Sequence, residues 1–72
     1  MRLINTKTGK EVFIGDEIVS INDEKFIVDS IERPKAFFGY GAIGRIFVKE
    51  NHDDTVSTGY MPGIFWCRFV ND

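Results

Sequence analysis

Gly39-Tyr40-Gly41-Ala42-Ile43-Gly44 matches G-x-G-x-x-G, the glycine pattern of a dinucleotide-binding turn. Such a turn follows a buried strand and opens a helix, whose first N–H groups hold a pyrophosphate. The flanks here read otherwise. Arg33-Pro34-Lys35-Ala36-Phe37-Phe38 precedes the glycines, with a proline and two charges. Arg45-Ile46-Phe47-Val48-Lys49 follows them, with Ile46 and Val48 on one face of a strand and Phe47 on the other. The chain has 72 residues, far fewer than a doubly wound nucleotide fold requires. A kinase glycine loop does lie on a hairpin, but no H-R-D or D-F-G accompanies this one. The glycines are therefore read as a loop between two strands, carrying Phe37, Phe38 and Tyr40.

Outward from the loop the period stays near two. Residues 17–21 and 25–31 read as a hairpin around Asn22-Asp23-Glu24, because short Asx side chains bond the local backbone and tolerate left-handed φ. Pro34 ends the second strand by removing a ladder donor. Towards the N-terminus, strands around Arg2-Leu3-Ile4 and at residues 11–14 flank a tight turn at Thr8-Gly9-Lys10, and Gly15-Asp16 punctuates. After the loop come residues 45–49, a polar turn at Asn51-His52-Asp53-Asp54, and a strand at residues 56–60. One 3₁₀ turn is predicted at Met61-Pro62-Gly63-Ile64, then a last strand over residues 65–70. No apolar stripe of helical period is present. The expectation is one all-β domain over residues 1–72, with five to seven short antiparallel strands. Closure into a small barrel is favoured, since an open sheet this small leaves two unpaired edges.

The order Gly15-Asp16-x-Ile18-Val19, a hairpin, a long loop, Gly44-Arg45-Ile46-Phe47-Val48 and then Tyr60-Met61-Pro62-Gly63-Ile64-Phe65 resembles an SH3-like barrel. More narrowly, residues 11–70 resemble small proteins of tailed phages, which carry G-D early, G-R-V-x-V midway and an aromatic-x-P-x-x-F turn near the end. Trp66 departs from that pattern, standing where a small residue is common. The resemblance implies a barrel with a 3₁₀ turn before its last strand. It carries no enzyme activity and no functional residue across.

Composition narrows the function classes. With 43% hydrophobic residues and ten aromatics, a chain this short must bury nearly every large apolar side chain, in its core or against a partner. Cys67 is the only cysteine, so no intramolecular disulfide forms, and a reducing cytoplasm is the expected compartment. No apolar run is long enough to span a membrane, and residues 1–7 lack the apolar stretch of a signal peptide. The net charge of −2 is divided unevenly. Residues 11–32 set seven carboxylates against Lys25 alone, a net −6. Residues 33–49 hold Arg33, Lys35, Arg45 and Lys49 and no acid, a net +4.

No constellation for catalysis emerges. His52 beside Asp53 and Asp54 reads as a solvated turn, because zinc needs three or four N/S donors and Cys67 is the lone sulfur thiolate source. Cys67 alternates with Phe65 and Phe69 and reads as a small buried hydrophobe. No cofactor or metal is expected. The same alternation turns Trp66, Arg68 and Val70 outward, and Trp and Arg dominate the energetics of protein interfaces. The alternative is that the N-terminal hairpin folds back and covers Trp66. The predicted function is non-catalytic binding of a protein partner, a host protein if the phage resemblance holds. The predicted contact residues are Arg33, Lys35, Phe37, Phe38, Tyr40, Arg45, Trp66 and Arg68. Self-association through an edge strand is a further route. Aromatic rings among basic residues also suit stacking on single-stranded nucleic acid, though the overall acidity opposes it.

Overall fold

The computed structural model describes residues 1–35 and 43–71. These form six strands, β1 (Arg2–Asn5), β2 (Glu17–Val19), β3 (Lys25–Glu32), β4 (Arg45–Lys49), β5 (Thr58–Tyr60) and β6 (Cys67–Val70), with one 3₁₀ turn at Pro62–Phe65. β2-β3-β4-β5 make a four-stranded antiparallel sheet, and β1 pairs with β6 in a second. Among the described residues neither sheet closes on itself. The expected strand at residues 11–14 is reduced to one bridge, Ile4 to Glu11. Asp16 explains the shortening. Its backbone N–H closes a turn on the Phe13 carbonyl, its carboxylate accepts the Phe13 N–H, and Gly15 takes φ 94° between them.

The β2–β3 turn forms where Asn22-Asp23-Glu24 places it. Asp23 adopts φ 62°, and buried Ser20 accepts the Asn22 and Glu24 N–H groups on its hydroxyl at 3.1 and 3.3 Å. Ile21 N–H then reaches the Ile64 carbonyl at 2.8 Å, tying this turn to the 3₁₀ turn. β3 carries a bulge between Val28 and Ser30 in its pairing with β4. The extra residue shifts the inward phase, so Phe26 and Val28 face the core before it and Ile31 after it.

One apolar cluster serves both sheets. Leu3, Val12, Ile18, Val28, Ile46, Val48, Phe65 and Cys67 are buried together. Phe65 is fully enclosed, with Phe26 and Tyr60 presenting to it edge-on at 5.9 and 5.8 Å. Pro62 starts the 3₁₀ turn, where its missing N–H is not needed. That turn brings Phe65 under the open face of the four-stranded sheet.

Candidate functional site

The two stems of the loop meet tightly at Gly44. It has φ 78°, and an added Cβ there would lie 2.8 Å from the Glu32 carbonyl oxygen, 2.7 Å from the Phe69 ring and 3.0 Å from Pro34. Gly44 leads directly into β4, so the last glycine of G-x-G-x-x-G opens a strand and no helix follows to hold a pyrophosphate. Its smallness serves the contact between loop stem and β6.

Beside that contact lies a groove of about 390 Å³, lined by Pro34, Ile43, Met61, Pro62, Arg68 and Phe69 among others. Each wall has a local cause. Pro34 follows the end of β3, and Ile43 precedes the tight glycine. Met61 is the extended residue before the 3₁₀ turn and stays more than half exposed. Phe69 faces inward from β6 while Arg68 points to solvent between two inward neighbours. The result is a largely apolar trough with one guanidinium on its rim.

Of the sequence-predicted contact residues, Arg68 alone lines this groove. Arg33, Lys35 and Arg45 are exposed. Arg33 is turned towards the N-terminus, its Nε donating to the Met1 carbonyl at 3.2 Å, beside a second groove walled by Phe13, Ile14 and Ile31. Phe37, Phe38 and Tyr40 lie outside the described residues. Trp66 is 40% exposed, as expected, but for a different reason. It ends the 3₁₀ turn with φ 59° and ψ 25°, and β6 begins only at Cys67. Both readings of its surroundings hold in part. The Lys7 ammonium sits 4.4 Å above the ring, and Thr6 gives its N–H and its hydroxyl to the Trp66 carbonyl, each at 2.7 Å. The N-terminal turn therefore covers part of the tryptophan and leaves part free.

The remaining chemistry is quiet. Burial pushes the Cys67 thiol up to about 11, and its Sγ is 3.2 Å from the Phe65 carbonyl, so it is a protonated core group at neutral pH. His52, Asp53 and Asp54 sit exposed in a turn that the Asp54 carboxylate caps through Asn51 N–H. Among the described residues no three His, Cys, Asp or Glu side chains gather as a metal site would. No described helix is long and apolar enough to cross a membrane.

Sequence reasoning missed Ile43, Met61, Pro62 and Phe69 as groove walls. Met61-Pro62 was legible as a turn, but which side of that turn stays bare depends on where Gly44 and Phe69 meet. Ten large apolar residues are exposed among those described: Phe13, Ile14, Ile43, Val56, Met61 and Trp66 with four others. No family model, curated protein or solved structure matches the chain.

Proposed function

We propose that the chain is a single SH3-like barrel domain, of the kind found in small tailed-phage proteins, that works by binding another protein and not by catalysis. The observation that carries this reading is the groove between the loop stems and the 3₁₀ turn, apolar on its walls and bearing Arg68. A core of this size gains most from burying every large apolar side chain, so Ile43 and Met61 left open beside one another favour a partner that covers them. Arg68 supplies the directional contact on the rim. Lys35, next to Pro34, and Arg45, next to Gly44, are exposed, while Arg33, Phe37, Phe38 and Tyr40 stay in the proposed contact set on the strength of the sequence alone. The lone, buried Cys67 suits a reducing cytoplasm.

The test is site-specific photo-crosslinking from position 61 in cells that contain the natural partner, repeated with Arg68→Glu. A discrete adduct that Arg68→Glu abolishes, with the melting curve unchanged, supports the reading. Absence of any adduct at position 61 sinks it. A salt series with a thymidine oligonucleotide separates the nucleic-acid alternative, whose affinity falls steeply with ionic strength.

A further inference from the structure

A second surface lies beside β5 and carries the opposite charge. Two adjoining grooves, of about 300 and 230 Å³, share Glu24, Phe26 and Tyr60 and form one channel along the open end of the four-stranded sheet. Its surface mixes polar groups with the Phe26 and Tyr60 rings, with Val48 buried beneath and Val56 78% exposed. The Phe26 and Tyr60 rings lie 6.4 Å apart and tilted at 46°. Its rim holds the carboxylates of Glu24, Glu50 and Asp54. Among the described residues Lys49 is the one cation lining it. Its ammonium is 3.5 Å from Asp29 and donates to the His52 carbonyl, so it is already engaged.

β5 is also the last strand of its sheet, three residues long. An edge strand offers a row of backbone groups to an added strand, and alternate side chains of that strand then fill pockets on one face. A second copy of this chain is a poor occupant. β5 itself, Thr58–Tyr60, brings no cation to the acidic rim, whose carboxylates would stay uncompensated in such a pair. A basic strand meets no such penalty, and its cations also find the faces of Phe26 and Tyr60. We propose that this channel binds an extended segment of another protein in which Arg or Lys alternates with β-branched apolar residues. The site is separate from the Arg68 groove and does not depend on it.

The experiment follows the amide spectrum of the full chain during titration with a capped hexapeptide of alternating Arg and Val, and with its Glu–Val counterpart. The expected result is saturable shifts at residues 24–26, 48–50 and 56–60 with the basic peptide only, weakening as salt is added. Glu24→Lys with Glu50→Lys, both on exposed side chains, weakens binding about tenfold. The salt series on the unaltered chain serves if that variant fails to fold. Equal binding of the Glu–Val peptide overturns the proposal, as do shifts confined to the Met61–Arg68 groove. Shifts at residues 56–60 that depend on protein concentration without peptide assign the edge to a second copy, and also overturn it.

Discussion

β4 and β6 are each entered through a residue in the left-handed region, and the two residues are opposites. Gly44 has no side chain and no room for one. Trp66 has the largest side chain available and carries it at φ 59°, a conformation that bulky L-residues seldom adopt. At Gly44 the backbone angle and the packing make the same demand, since a Cβ is excluded by both. At Trp66 they conflict. The backbone favours glycine, while the ring is held by Lys7 and remains partly free. Glycine at a positive φ therefore reads as a folding requirement, whereas the tryptophan occupies such an angle with no packing demand for it.

Gly44→Ala tests the first half and has the largest expected effect. The left-handed penalty for alanine is about 1 kcal/mol, and forcing a methyl against the Glu32 carbonyl and the Phe69 ring adds about 2 more. Urea denaturation registers a loss near 3 kcal/mol. A loss below about 1 kcal/mol means that the stems can part easily, and the contrast with Trp66 disappears.

Cys67, the residue directly after Trp66, sharpens the comparison from the β6 side. It is buried, whereas Arg45 after Gly44 is exposed. Its thiol is raised from 9.0 to about 11 by desolvation. The unfolded chain thus loses this proton first as pH rises. The stabilisation is complete below pH 9, declines between pH 9 and 11, and is lost above. Its size is about 3 kcal/mol. Stability curves for the wild type and Cys67→Ala run parallel below pH 9 and converge above it. Curves that stay parallel to pH 11 mean that the thiol is open to water and β6 is entered loosely.

Asp23 is a third left-handed residue, two positions before β3, and there the sequence does match the angle. Short Asx residues accept it, and Ser20 adds two hydrogen bonds to the turn. Ser20→Ala leaves the Asn22 and Glu24 N–H groups without that acceptor and costs about 1–2 kcal/mol in thermal or urea melts. An unchanged midpoint removes the turn from the elements that fix β3.

These three entries differ in how far they were legible. Asn22-Asp23-Glu24 declared its turn because the side chains that make it are local. Gly44 was legible as a loop glycine but not as a packing contact, since Phe69 is 25 positions away and Glu32 acts through its backbone. The bulge had a local trace: Ile27 and Val28 are adjacent apolar residues, both buried, and Ile31 continues the inward face out of phase. The strand at residues 11–14 was misjudged because Asp16 bonds Phe13 in place of a ladder partner. Arg68 was found from alternation alone, while its groove required the fold.

Trp66 provides the finest test, because two substitutions at one position separate its backbone from its ring. Trp66→Ala removes the ring, with its contact to Lys7, and keeps an L-residue at φ 59°. Trp66→Gly removes the same ring and relieves the angle. The glycine variant should therefore be the more stable of the two by about 1 kcal/mol. Both should lose whatever binding the ring supplies to the same extent. Lys7→Ala should cost at most about 0.5–1 kcal/mol and red-shift the tryptophan emission, as the ring gains water on the face that the ammonium covered. If alanine and glycine at position 66 prove equally stable, no strain was stored there. Trp66 would then be a turn residue that happens to be large, and the contrast with Gly44 would reduce to one of space alone.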